Sequence, residues 1–294
     1  MAAQDLARRA RPHPRDASLT VGPFFRWAGG KRRIVRELEK RIPSSFKGRY
    51  FEPFLGSGAL FFHLVQNARL RAGVFLSDGN RELVRTYHAV LKWPARVHAQ
   101  LVAHERAHSP VYYFTQRRVR SLNLAPAFDV DVAARFLYLN HHAFNGLYRV
   151  NREGMFNVPM GVTSRPLPTR ETLQAVGQTL RCAVLSVGDF EKTLRKGKPR
   201  RGDLVYFDPP YVPISETSNF TDYSPQSFGM QEHMRLRDVA RTLKEHGIHI
   251  LLSNSDSAVT RKLYRGFTLE SIAVHRSISA RSDRRGPVSE LIVT

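Results

Sequence analysis

Short apolar runs alternate with helix-like stretches from residue 24 onward, and this alternation restricts the chain to an open α/β sheet. Strand-like runs occupy residues 50–54, 74–77, 183–187, 204–207, 248–252, 267–274 and 291–293. Between them, Ile34, Val35, Leu38 and Ile42 share one helical face that Pro43 ends, and residues 59–65 read as a buried helix. Leu83, Val84, Tyr87, Val90 and Leu91 form another amphipathic helix closed by Pro94, and Leu236, Val239, Ala240 and Leu243 mark one stopped by Gly247. Residues 94–169 differ. They are rich in His and Arg, with one helix predicted around 132–138, capped by Asp129 or Asp131, and a polar glycine-containing loop region. The expectation is a seven-stranded sheet built from 21–88 and 170–294, interrupted by a mainly helical insertion at 89–169. Residues 1–20 carry Arg8, Arg9, Arg11 and Arg15 without an apolar face and read as a disordered basic tail. Asp5 and Asp16 argue against a cleaved organellar presequence there.

With 294 residues, 42% apolar and 24% charged, the chain suits one or two soluble domains. No run of about 18 apolar residues predicts a membrane span, and no charged-then-apolar leader predicts secretion. A single cysteine, Cys182, excludes a disulfide framework and a cysteine-rich zinc site and fits a reducing cytosol. The charge is unusual: 46 Lys and Arg against 25 Asp and Glu give +21. Such a field attracts polyanions, and arginine forks onto phosphates and guanine edges. A GC-rich genome would also enrich arginine, so charge alone indicates nucleic acid without indicating chemistry.

Asp208-Pro209-Pro210-Tyr211 follows the apolar strand at 204–207. It therefore sits at a strand's carboxyl end, where open α/β sheets bind ligands. Two prolines stiffen the backbone and remove two N–H donors. A carboxylate, bare carbonyls and an aromatic ring remain, a set suited to gripping a planar base and its amino group. An aromatic amine is a poor nucleophile because its lone pair is delocalised. If Asp208 and the Pro209 carbonyl accept its two hydrogens, the nitrogen is pulled toward tetrahedral geometry and its lone pair is aimed at an electrophile. The positive charge developing on nitrogen is then stabilised by the same acceptors, with Tyr211 stacked on the base.

Phe51-Glu52-Pro53-Phe54-Leu55-Gly56-Ser57-Gly58 is a strand, a G-x-G turn and a helix start, letting a ligand approach the backbone. Asp78 closes the next strand about twenty residues on, where a ribose diol is usually bound, although a helix N-cap explains an aspartate there equally well. The third glycine of a dinucleotide site is missing. A nucleoside without a pyrophosphate fits better, and S-adenosylmethionine is the common one. Trp27-Ala28-Gly29-Gly30-Lys31 precedes a helix, and Lys31 could bind a ligand carboxylate.

Trp27 to Lys31, Glu52 to Gly58, Asp78-x-Asn80, Asn140-x-x-x-Phe144-Asn145-Gly146-Leu147-Tyr148-Arg149-x-Asn151, Phe156-Asn157-Val158-Pro159 and Asp208 to Tyr211 occur in this order. Together they resemble the Dam-like family of DNA adenine methyltransferases, from about residue 24 to the C-terminus. The resemblance implies a Rossmann-like methyltransferase sheet and methylation of the 6-amino group of adenine. It implies S-adenosylmethionine contacts at Trp27, Lys31, Asp78 and Asp208, a pocket floor of Phe54, Gly56 and Gly58, and an adenine-holding segment at Asp189-Phe190. It implies catalysis by Asp208, Pro209, Pro210 and Tyr211. Phe220, Tyr223, Phe228 and His233 resemble the segment shaping the target pocket, and Arg276, Arg281 and Glu290 the C-terminal pattern.

The target amino group is buried in a duplex, so the base must be flipped out. Alone, Phe144-Asn145 reads as a core ring with a capping amide. The resemblance makes it the pair that fills the hole left by the base. It likewise implies that Arg149 contacts guanine, that Leu147 and Pro159 contact a thymine methyl, and that Arg26 reads the first guanine, pointing to GATC or a longer site containing GAT. His141 and His142 depart from the Arg-aromatic pair often found there. No carboxylate or cysteine lies at ligand spacing from them, so no metal is expected. Arg117, Arg118, Arg120, Arg284 and Arg285 serve phosphates or form a solvated face. The expected partner is double-stranded DNA, and the expected setting a monomer in a bacterial or phage cytoplasm, with or without an associated restriction endonuclease. An RNA adenine methyltransferase and a DNA-binding protein that has lost catalysis are the alternatives. The block from Phe144 to Pro159 opposes the first and the intact motifs oppose the second.

Overall fold

The computed structural model describes residues 21–120, 125, 129–162, 166–212, 228–275 and 287–294. Seven strands form one sheet: β1 (Tyr50–Glu52), β2 (Val74–Asp78), β3 (Ala183–Val187), β4 (Leu204–Phe207), β5 (His249–Ser255), β6 (Leu269–His275) and β7 (Pro287–Val293). Their spatial order is β3-β2-β1-β4-β5-β7-β6. β7 runs antiparallel to β5 and β6, and the other pairs are parallel. The order reverses direction between β1 and β4, paired in register Tyr50↔Leu204 and Phe51↔Val205. The crevice beyond their carboxyl ends is therefore the topological switch point where ligands bind in such sheets. Arg49 and Asp203 fasten this junction, the Asp203 carboxylate accepting the backbone N–H of Arg49 at 2.8 Å and its guanidinium at 2.7 and 3.0 Å.

The central strands β1, β4 and β5 are buried on both faces because helices cover both, whereas the edge strands β3 and β6 are more exposed. Phe51, Val205, Phe207, Ile250, Leu252, Leu291 and Val293 face one core, and Tyr50, Leu204, Tyr206, Leu251 and Ile292 the other. The described helices are α1 (Val35–Lys40), α2 (Ala59–Gln66), α3 (Arg81–Lys92), α4 (Pro94–Arg106), α5 (Pro110–Arg117), α6 (Asp129–His142), α7 (Arg170–Leu180), α8 (Phe190–Gly197), α9 (Met230–Glu245) and α10 (Ala258–Leu263). Five of them, α3 to α7, stand between β2 and β3, with α6 packed against α3 and α4.

Several local expectations change. β1 stops at Glu52, two residues early, just before Pro53, which lacks a ladder N–H. Pro94 not only ends one helix but opens the next, where a missing N–H at the first position costs nothing. The stretch predicted to hold one helix contains α4, α5 and α6. α5 is capped by Ser109, whose hydroxyl accepts the Tyr112 N–H. Asp129 and Asp131 lie inside the first turn of α6 rather than before it, and Asp129 accepts from Arg85 Nε at 2.6 Å. The basic tail lies outside the described residues.

Candidate active site

Asp208 follows β4 directly and faces the crevice. Ser253 Oγ, from β5, donates to Asp208 Oδ1 at 2.8 Å, and Tyr206 OH lies 3.1 Å from the same hydroxyl. Lys31 Nζ, itself 4% exposed, makes an ion pair with Asp208 Oδ1 at 2.9 Å. Burial raises the Asp208 pKa above the ordinary carboxylate value, with Lys31 and Ser253 working against the rise. Lys31 also donates to the Gly29 carbonyl and lies 4.7 Å from the centre of the Tyr211 ring. Tyr211 is held at its far end, its hydroxyl donating to Glu290 Oε2 at 2.8 Å. Pro209 is buried and Pro210 exposed. Asn254 Oδ1 accepts the Val212 N–H at 3.2 Å and Ser255 Oγ donates to the Val212 carbonyl at 3.0 Å, so the exit of the motif is clamped to β5.

The opposite wall is the glycine turn after β1. Gly56 and Gly58 have φ of 47° and 67°, a region that favours glycine. A Cβ on Gly56 would also lie 2.7 Å from Trp27 Cδ1. Asp78 braces this turn from β2, Oδ2 accepting the Gly56 N–H at 2.9 Å and Oδ1 the Asn80 N–H at 2.8 Å. The helix-cap alternative falls to Asn80, whose side chain accepts from Leu83 N at the start of α3. Each Asp78 oxygen keeps a lone pair for a ligand hydroxyl. Buried Glu52 accepts the Tyr50 hydroxyl at Oε2, 2.8 Å away, and burial pushes its pKa well above the usual carboxylate range. Trp27, Gly29, Lys31, Glu52, Gly56 and Asp208 line a cavity of about 20 Å³.

Asp189 and Phe190 stand further off. Asp189 caps α8, accepting the Glu191 N–H at 2.9 Å, and pairs with Arg235. Phe190 is buried, stacked on Phe54 with centroids 5.7 Å apart. Phe228 meets Phe54 edge-on at 5.4 Å. Phe220, Tyr223, Arg276, Arg281, Arg284 and Arg285 lie outside the described residues.

The insertion brings the remaining candidates together. Phe144, 43% exposed, and Asn145, at φ 55°, occupy a 3-10 turn after α6. The Phe144 N–H donates to the Pro159 carbonyl at 2.9 Å, and Val150 bridges Phe156, so residues 149–157 form a small hairpin. Exposed Arg149 donates from Nε to Asn157 Oδ1 at 2.7 Å. Leu147 packs partly buried against the core. Arg26 donates to the Asn145 carbonyl at 3.2 Å, and a second cavity of about 420 Å³ opens between it, Arg32, His141 and Phe144. His142 meets a carboxylate after all: Glu105, on α4, lies 2.7 Å from Nε2. Among the described residues no group of three or more His, Cys, Asp or Glu is arranged to hold a metal.

Sequence reasoning passed over Ser253, Asn254 and Tyr206. The signal was present, since Ser253-Asn254-Ser255 is a polar run closing an apolar strand at the ligand-binding end of the sheet.

His233 lies under the motif, packed edge-on against Phe228 at 4.8 Å, and burial pushes its imidazole down to about 4. A histidine held neutral when folded adds stability above its unfolded pKa of about 6.5 that is lost as pH falls toward 4. Wild-type protein is expected to lose about 2 kcal/mol between pH 7 and pH 5 through this group. Denaturant titrations should show a shallower acid limb for His233→Leu, and an unchanged limb would remove the assignment.

The profile of the D12 class N6 adenine-specific DNA methyltransferases matches residues 27–278. The Type II methyltransferase M1.LlaDCHI of Lactococcus lactis subsp. cremoris is 36% identical over 280 residues, covering 94% of this chain and 96% of its own. The Type II methyltransferase M.MjaIII of Methanocaldococcus jannaschii is 33% identical, covering 91% and 96%. The DNA adenine methylase of Haemophilus influenzae is 34% identical over 275 residues, covering 92% of each chain. The chain therefore belongs to the D12 class of N6 adenine-specific DNA methyltransferases.

Proposed function

We propose that this enzyme methylates the 6-amino group of an adenine flipped out of duplex DNA, with S-adenosylmethionine as donor, within GATC or a longer site containing GAT. The observation that carries the reading is the placement of Asp208 at the switch point, oriented by Ser253 and facing the glycine turn across the crevice. The donor set suits a nucleoside with a charged amino-acid tail. Asp78 offers spare acceptor lone pairs, Gly56 and Gly58 form a cradle that a Cβ would fill, and Lys31 offers an ammonium. When bound, S-adenosylmethionine supplies a methyl group on a positively charged sulfur.

Asp208 and the Pro209 carbonyl accept the two amino hydrogens of the adenine, and Tyr211, fixed through Glu290, supplies the stacking face. A nitrogen–carbon bond forms as the carbon–sulfur bond breaks, and the nitrogen sheds one proton. Burial of Asp208 makes it a stronger base for that proton than an exposed carboxylate. In this reading 21–88 and 170–294 are the catalytic part and 89–169 the DNA-reading part. Phe144 stacks in the gap left by the base and Asn145 bonds its orphaned partner. Arg26 and Arg149 contact guanines, and Leu147 and Pro159 the thymine methyl.

The test is transfer of tritiated methyl from S-adenosylmethionine to duplexes carrying GATC or GTTC, and to tRNA. Label confined to the GATC duplex supports the proposal, whereas label on RNA alone refutes it. Arg149→Ala is expected to relax discrimination at one base pair by about 1–3 kcal/mol, read from kcat/KM on singly substituted duplexes. Uniform loss across all duplexes would make Arg149 a backbone contact instead.

A further inference from the structure

Asn140 has no role in the chemistry above, yet its side chain is the most fully used amide at the junction of the two parts. It sits two residues before the end of α6 and is 1% exposed. Its Oδ1 accepts the Arg26 N–H at 3.0 Å, and its Nδ2 donates to the Arg26 carbonyl at 2.9 Å and to the Gly146 carbonyl at 2.9 Å. One side chain thus satisfies both backbone groups of Arg26 and ties them to the turn carrying Phe144 and Asn145. The surfaces around this joint are equally close. A Cβ on Gly146, which has φ 65°, would lie 2.4 Å from Arg26 Cδ. One residue on, Trp27 stacks on Tyr148 with centroids 5.4 Å apart and planes 29° apart.

The same segment runs straight into the crevice. Gly30 N–H donates to the Trp27 carbonyl at 3.1 Å, and Lys31 closes on Asp208. The cavity it borders, about 20 Å³, has room for a water and not for a nucleoside. Residues 27–31 form one of its walls, so a ligand that widens it by moving that wall shifts them. Through the joint, such a shift reaches the turn that meets DNA.

We propose that Asn140 is the positioning residue through which filling of the donor cleft and seating of the Phe144–Asn145 turn on DNA are coupled. The proposal rests on the reading of 27–31 as a donor loop and of 144–159 as a DNA reader. Coupling of this kind is reciprocal, so either ligand must tighten the other by the same factor.

The experiment measures binding alone. Anisotropy of a labelled GATC duplex is titrated with and without saturating S-adenosylhomocysteine, and calorimetry measures S-adenosylhomocysteine with and without duplex. Wild-type protein is expected to show about a tenfold tightening in both directions. Asn140→Ser is expected to reduce that factor to less than about twofold, and Gly146→Ala, which opens the same joint from the other side, to do likewise. Val176→Ala, in the core of α7, serves as a stability control and keeps the wild-type factor. Retention of that factor by both joint variants, whatever their melting temperatures, would overturn the proposal, as would independent binding of the two ligands to wild-type protein. A wild-type protein that binds neither ligand would remove the underlying reading of function as well.

Discussion

Asp208→Ala is expected to lower methyl transfer by at least about 10³-fold, because it removes an acceptor from the place where positive charge develops in the transition state. Duplex affinity should stay within several-fold, since the turn proposed to meet DNA, at Phe144–Gly146, lies on a different segment from Asp208. The substitution also strands Lys31, whose buried ammonium has Asp208 as its ion-pair partner. Some loss of stability is therefore part of the expectation. Asp208→Asn separates the two effects. It keeps the size of the side chain and one acceptor oxygen while abolishing the negative charge that, on the proposed mechanism, steadies the reacting nitrogen. Single-turnover rates with pre-bound duplex should fall steeply in both variants, and melting temperature should fall more in the alanine variant. An Asp208→Ala protein that still transfers methyl at a comparable rate would end the assignment of this carboxylate to the chemistry.

The largest expected effect on stability comes from a different carboxylate. Glu82, in α3, accepts from Arg135 Nη1 at 2.9 Å and from Tyr148 OH at 2.7 Å. Arg135, in α6, also donates to the carbonyls of Gln116 and Val119, and the pair is 6% and 4% exposed. Removing one partner of such a pair leaves a charge in a medium that solvates it poorly. Glu82→Ala is expected to destabilise the protein by about 3–5 kcal/mol. The double replacement Glu82→Leu with Arg135→Met should recover part of that loss, because it leaves no buried charge, the remainder being the Tyr148 hydroxyl and the Gln116 and Val119 carbonyls that lose a partner. Denaturant unfolding of Glu82→Leu, Arg135→Met and the double variant measures the difference. If the double variant is as unstable as the sum of the singles, the pair is not acting as a charge pair. Tyr148 also stacks on Trp27, so the Glu82–Tyr148 hydrogen bond supports the segment that leads to Lys31.

These expectations draw unequally on sequence and structure. The central strands β1, β4 and β5 were legible because strands buried on both faces are short continuous apolar runs, as at Leu204 to Phe207. Asp208 to Tyr211 was legible because two prolines after such a run are rare and have a direct chemical meaning. Helices α4 and α5 were not. The face of α4 mixes His, Arg, Gln and Ala, that of α5 leaves Val111 and Phe114 exposed, and both are helical because they pack on α6 and because Pro94, Pro110 and Ser109 start them. Nor could spacing reveal that Ser253 orients Asp208 from 45 residues away, or that Glu105 finds His142 across 37.

By itself the sequence determined the layered α/β architecture, the basic character of the chain and the chemical nature of the motif at 208–211. All three depend on local composition and on the period of apolar residues along the chain. Only the tertiary structure decided that Lys31 pairs with Asp208, that Asn80 rather than Asp78 caps α3, and that Asn140 joins Arg26 to Gly146. Those outcomes depend on which side chains share a buried space after folding. There, each unpaired polar group costs more than its local alternatives, and the partner that satisfies it can come from any part of the chain.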